Sequence, residues 1–312
     1  MDVATLIEGV LTGERRAVAR AISLVEDGGE ELPALSAGIF ERTGVAATLG
    51  LTGAPGVGKS TIAGALVARA RLGGMRAAVL AVDPTSPYTG GALLGDRVRM
   101  QEHATDPDVF IRSMATRGHL GGMALAAPEA VRILDAAGYE RIVVETVGVG
   151  QAEVDVAAAT DTAIVVLASG FGDAVQVAKA GILEIADVFV VNKADRDGSG
   201  QVVRDLQQML HLGPKRAWDP PVLTTTATAG EGLDGLWEAV ERHRTWLSGS
   251  GGLDAKRRAR LRREVESLAS ARFRARAARV FDADPALLAD LEARRVDPYR
   301  AAAILEDRAA GG

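Results

Sequence analysis

Cysteine is absent from the 312 residues, which excludes disulfides and thiolate metal sites. The four histidines (His103, His119, His211, His243) are scattered along the chain and suggest no metal cluster. No apolar run approaches the length of a membrane span. The stretch 1–16 lacks the basic-then-apolar order of a secretory signal, so a cytoplasmic protein is expected. An excess of positive charge is missing as well: the formal net charge is -5, which gives no reason to expect nucleic acid as the main partner. No internal repeat is found. What is plentiful is apolar material, 47% against 25% charged, enough for the core of one large domain with appendages or of two modest ones.

Apolar residues at helical spacing (Leu6, Val10, Val18, Ile22, Val25) run through 1–45, broken by Gly28-Gly29 and Pro33, and predict two or three short amphipathic helices. From Ala46 onward, short apolar runs alternate with longer helical stretches, the pattern of a doubly wound α/β sheet. Strands are predicted over 47–52, 77–82, 109–113, 141–145, 163–168, 188–192 and 222–225. Most are continuous Val/Ile/Leu/Ala runs, as parallel strands covered on both faces require. Helices are predicted over 59–72, 128–137, 174–185, 201–210 and 233–247. Ser248-Gly249-Ser250-Gly251-Gly252 reads as a flexible linker. A basic helix over 254–281 follows, with a narrow apolar stripe of Leu261, Val265, Leu268, Phe273 and Val280, and a second helical segment lies beyond Pro285. The expected organisation is an N-terminal helical segment (1–45), an α/β domain with a mostly parallel sheet (46–247), and a linker with a C-terminal helical arm (248–312).

After the first predicted strand comes Gly53-Ala54-Pro55-Gly56-Val57-Gly58-Lys59-Ser60-Thr61, a full match to the phosphate-binding loop G-x-x-x-x-G-K-[ST]. Glycines at 53, 56 and 58 let the backbone curl with its N–H groups toward phosphate oxygens. The helix that starts near Lys59 points its positive end at the same anion. Lys59 adds a charge for the β- and γ-phosphates, Ser60 offers a hydroxyl to Mg²⁺, and Thr61 is a further donor near the α-phosphate.

The choice of base is read from Asn192-Lys193-Ala194-Asp195 at the end of the sixth strand. A carboxylate at Asp195 can accept from guanine N1–H and the exocyclic amine together; adenine would leave that charge unpaired. Lys193 would lie along the base and Asn192 would brace the loops. Thr226-Ala227, at the end of the last strand, stands where a backbone N–H can contact the guanine oxygen.

Three acidic residues follow the phosphate loop. Asp83 ends the second strand, Asp96 lies in Leu93-Leu94-Gly95-Asp96-Arg97, and Glu145 opens Glu145-Thr146-Val147-Gly148-Val149-Gly150-Gln151. That last segment has the form of a D-x-x-G switch with glutamate for aspartate, in which Gly148 could bring its N–H to the γ-phosphate. Magnesium needs Ser60 plus one or two carboxylates, drawn from Asp83, Asp96 and Glu145. Asp83, Asp96 and Gln151 are the candidates for positioning the attacking water.

Together these segments resemble the MeaB/ArgK family of P-loop GTPases associated with adenosylcobalamin-dependent acyl-CoA mutases. The resemblance also runs through Val82-Asp83-Pro84-Thr85-Ser86, Thr116-Arg117-Gly118-His119-Leu120-Gly121-Gly122 and Gly181-Ile182-Leu183-Glu184-Ile185-Ala186-Asp187, covering about 40–247 densely. It implies a homodimer joined through the C-terminal helices. It also implies a chaperone role, in which GTP binding and hydrolysis gate cofactor delivery to methylmalonyl-CoA mutase and guard that enzyme, with a cobalamin adenosyltransferase as a further candidate partner. The stretch 172–181, with Gln176 and Lys179, would be a switch that senses the mutase. The family usually has two basic residues before the glycine at 181, and this chain has Lys179-Ala180.

Three alternatives stand beside this reading. A metallochaperone GTPase of the hydrogenase- or urease-maturation type shares the fold but needs Cys or His clusters. An ATP-dependent kinase or transport ATPase is opposed by Asp195. Binding of nucleic acid or an anionic membrane by the basic helix competes with a solvated helix bearing an apolar dimer seam.

Overall fold

Seven strands form one parallel sheet in the order β3-β2-β4-β1-β5-β6-β7. They are β1 (Ala47–Thr52), β2 (Ala77–Asp83), β3 (Val109–Ala115), β4 (Arg141–Thr146), β5 (Thr162–Leu167), β6 (Val188–Asn192) and β7 (Val222–Thr225). The structure is a computed structural model and describes residues 2–83, 103, 105–115, 123–146, 156–170 and 182–310. Every strand predicted from the apolar runs is present. β1 is central, paired with β4 on one side and β5 on the other, so the strand order reverses about it. Open α/β sheets bind ligands at the carboxyl ends of the strands at such a reversal.

Helices cover both faces, which is why the strands are apolar on both sides. On one face, α4 (Lys59–Leu72) packs Ile62, Leu66 and Val67 against Leu49, Leu51, Val79 and Ile164. On the other, the N-terminal helices α1 (Val3–Leu11), α2 (Arg15–Asp27) and α3 (Leu32–Ile39) join α5 (Met123–Ala136) in a core with Leu80, Ile142 and Val144. Asp2 caps α1 by accepting from the Thr5 N–H at 2.8 Å, and Gly28 ends α2 at φ 65°, the left-handed position that glycine fills without strain. Pro33 does not break the third helix. It sits in the first turn, where its missing N–H costs nothing.

Two boundaries differ from the sequence reading. α5 starts at Met123, not at Pro128, so the proline lies inside the helix. Its missing N–H takes one i→i−4 hydrogen bond from the second turn of the helix. The expected helix over 174–185 is described only over α6 (Ile182–Ile185). The remaining helices whose two ends both lie among the described residues are α7 (Ser199–Leu212), α8 (Leu233–Gly249), α9 (Gly252–Asp282), α10 (Pro285–Glu292) and α11 (Pro298–Ala310).

The glycine-serine stretch at 248–252 is not an extended linker. α8 runs through Gly249 and α9 begins at Gly252, so only Ser250 and Gly251 separate them, with Gly251 at φ 72°. Side chains explain the tight turn. Lys256 Nζ reaches the Asp187 carboxylate at 2.9 Å, and Arg257 and Arg260 reach Asp161 at 2.8 and 2.9 Å. Arg257 also donates to the carbonyls of Gly44 and Ala46. The first turns of α9 are thereby fastened beneath β1, β5 and β6, at the strand ends opposite the phosphate loop.

Candidate functional site

The loop after β1 turns sharply because Gly53, Gly56 and Gly58 take φ values of 139°, 80° and 103°. At Gly53 a Cβ would fall 2.1 Å from the Val166 carbonyl oxygen, and at Gly58 it would fall 2.2 Å from Asn192 Nδ2. Those contacts leave no room for a side chain, which accounts for both glycines that the motif prescribes. α4 begins at Lys59, as the spacing predicts, with its N-terminal amides directed into the loop.

Lys59 and Ser60 are both buried. Lys59 Nζ donates to the carbonyls of Gly53 at 2.7 Å and Ala54 at 3.0 Å, which holds the ammonium across the loop. Ser60 Oγ donates to Glu145 Oε1 at 2.7 Å. Glu145 reaches it because β4 lies beside β1, with Leu51 opposite Glu145 in the register. A buried hydroxyl and a buried carboxylate in contact form a pair of hard oxygen donors that suits magnesium. Asp83 is the last residue of β2, and β2 pairs with β4 so that Ala81 stands opposite Glu145. The Asp83 side chain, and Asp96, Gly148, Gln151, Gln176 and Lys179 as a whole, lie outside the described residues.

The base motif comes to the same end of the sheet. Asn192, buried at the end of β6, donates from Nδ2 to the Val57 carbonyl at 2.8 Å. Its Oδ1 accepts from Thr225 Oγ1 at 3.0 Å and from the Ala227 N–H at 3.1 Å. One side chain therefore joins the phosphate loop, the base motif and the loop after β7. Lys193 takes φ 58°, the left-handed region, and its Nζ donates to the Gly56 carbonyl at 2.6 Å. Asp195 follows in the turn, exposed to solvent.

Two details were not legible in the sequence. The Ala227 N–H, in the pair Thr226-Ala227, donates to Asn192 Oδ1 and so ties the loop after β7 to the end of β6. Thr225 was not singled out, yet its hydroxyl fixes Asn192, and nothing in the local pattern distinguishes it from any strand-end threonine. Among the described residues no group of three or more His, Cys, Asp or Glu side chains could hold a metal, and no helix is long and apolar enough to cross a membrane.

Comparison with known proteins agrees with this geometry. The family model described as methylmalonyl Co-A mutase-associated GTPase MeaB matches residues 18–281. A Pyrococcus horikoshii protein described as a GTPase is 45% identical over 98% of both chains. The GTPase ArgK of Escherichia coli is 39% identical over 82% of this chain and 81% of its own. Among solved structures, the crystal structure of a LAO/AO transport system kinase superposes with a TM-score of 0.70 at 28% identity, covering 98% of this chain and 96% of that one. A phosphate loop, an N-K-x-D base motif and a family match over most of the length converge: the chain belongs to the MeaB family and is a P-loop GTPase.

Proposed function

We propose that this GTPase is a magnesium-dependent chaperone for an adenosylcobalamin-dependent methylmalonyl-CoA mutase or a related acyl-CoA mutase, gating cofactor loading and protecting that enzyme. The observation that carries the reading is the match over residues 18–281 to a family described as mutase-associated. In this reading the amides of 53–58 cradle the phosphates, Lys59 neutralises the β- and γ-phosphates, and Thr61 supports the α-phosphate. Asn192, Lys193 and Asp195 read guanine, with Thr226 and Ala227 closing the base side. Ser60, Glu145, Asp83 and Asp96 would hold magnesium, which would offset the charge that gathers on the phosphate oxygens during transfer. Asp83, Asp96 or Gln151 orients the water that attacks the γ-phosphate, giving GDP and phosphate, while Gly148 offers an N–H to that phosphate. Gln176 and Lys179 belong to a segment that senses the mutase.

The three-part division at 45/46 and 247/248, a cytoplasmic setting and a homodimer through the C-terminal arm belong to the same reading. The arm supports dimerisation through exposed apolar residues on α9: Val265 at 64% exposure, with Leu261 and Phe273 at 42% each. Sedimentation that shows a monomer at micromolar concentration would remove this part.

The chaperone role is tested by loading. Apo-mutase is mixed with adenosylcobalamin and followed by the cofactor's visible absorbance, with the chain and either GTP or a non-hydrolysable analogue. Loading that depends on which nucleotide is present supports the proposal. Loading indifferent to both chain and nucleotide removes the chaperone role and leaves the GTPase assignment standing.

A further inference from the structure

We propose that Thr52 and Thr146 are positioning residues for hydrolysis, two buried hydroxyls that hold the ends of β1 and β4 together so that Glu145 stays aligned with Ser60. This rests on the reading that Ser60 and Glu145 hold magnesium. The last pair in the β1–β4 register is Leu51 opposite Glu145. Leu51 faces the α4 side, as Glu145 does through Ser60. Side chains alternate along a strand, so Thr52 and Thr146, the next residues, both face the opposite side, where Ile142 and Val144 pack.

Both threonines are fully buried, at 0% exposure. Thr146 Oγ1 donates to the Leu51 carbonyl at 3.4 Å, long for a hydroxyl bond. Thr52 Oγ1 has no hydrogen-bond partner among the described residues. A buried hydroxyl without a partner destabilises the fold, and valine would fill the same volume without that cost. The unpartnered group is not at an arbitrary place. Thr52 immediately precedes Gly53 of the phosphate loop, and Thr146 immediately follows Glu145. Each lies one residue past the last β1–β4 ladder pair, Thr52 on the strand that carries the phosphate loop and Thr146 on the strand that carries Glu145. In the reacting state Thr52 Oγ1 bonds Thr146 Oγ1, and the pair fixes the separation of the two strand ends. Small misplacements of such groups cost one to two orders of magnitude in rate.

The test uses the full chain with Thr52→Val, Thr146→Val and Thr52→Ser. Four quantities are read: the unfolding midpoint without nucleotide, KM and kcat for GTP, and Mn²⁺ affinity of the GDP-bound protein by electron paramagnetic resonance. Thr52→Val is expected to unfold at the same or a higher temperature, to keep KM within about twofold, and to lose kcat and Mn²⁺ affinity by about tenfold. Thr52→Ser is expected to restore both. A variant both more stable and slower is not what a purely structural threonine gives. Unchanged kcat and Mn²⁺ affinity in the valine variants, or a loss that serine does not rescue, would overturn the proposal. Should Thr52→Val fail to fold, Thr146→Val decides on the same readouts. Hydrolysis by the unaltered chain that needs no divalent ion would instead bring down the magnesium reading beneath it.

Discussion

In the function proposed here, the base is chosen by the Asp195 carboxylate in the turn just beyond β6. Asp195 is exposed, as a group that must meet a ligand is, while Asn192, buried at the end of β6, is fully engaged in holding the loops. In that reading the two residues of one tetrapeptide divide recognition from bracing. Replacing Asp195 by Asn is expected to weaken GDP binding by about 10²–10⁴-fold, the loss of two charge-assisted hydrogen bonds. The same variant should gain affinity for xanthosine diphosphate, whose base has a carbonyl where guanine has the amine. Calorimetric titration with both nucleotides checks this, and equal loss for both would mean that Asp195 does not face the base. At this scale the sequence was highly legible: Gly53, Gly58, Lys59, Ser60, Glu145 and Asn192 meet as their motifs require, because each motif is a backbone conformation with its own residue demands. Thr225 and the N–H of Ala227 were not, since their partners are set by how three loops pack and not by local pattern.

Among the elements, α9 shows how the C-terminal arm is tied to the sheet. Burial works against the charge of Asp161, yet the hydrogen bond from Arg257, aided by Arg260, overcomes it and holds the carboxyl below its ordinary range. Asp187 is likewise lowered, with burial opposed first by His243 and then by Lys256. Asp161→Asn removes the buried carboxylate that two half-buried guanidinium groups share, and is expected to cost on the order of 3 kcal/mol of stability at neutral pH. The folded-state pKa of Asp161 is depressed, so its contribution is present above the unfolded carboxylate value near 4 and is lost as pH falls through the folded one. The difference between the variant and the unaltered chain in denaturant melts should therefore narrow below about pH 4. A constant difference down to acid pH would show that the clasp is not electrostatic. The strands were readable from apolar runs, and the start of α4 from the phosphate-loop motif that precedes it. The two-residue turn at Ser250-Gly251 was not, because glycine and serine look the same in a flexible linker as in a tight turn, and only the distant carboxylates of Asp161 and Asp187 separate the two cases.

On the scale of the whole molecule, the nucleotide site and the arm occupy opposite ends of the same sheet. The phosphate loop and base motif sit at the carboxyl ends of β1, β4 and β6, and the α9 clasp sits at the other ends of β1, β5 and β6. A partner-responsive GTPase needs its hydrolysis rate to depend on what it touches, and that dependence is the core of the function proposed here. The most direct measurement is GTP turnover with Mg²⁺, with ATP as the control, alone and with an adenosylcobalamin-dependent acyl-CoA mutase from the same source. The expected result is slow, GTP-selective turnover whose rate changes when the mutase is added. GTP turnover that stays the same at saturating mutase would contradict the account.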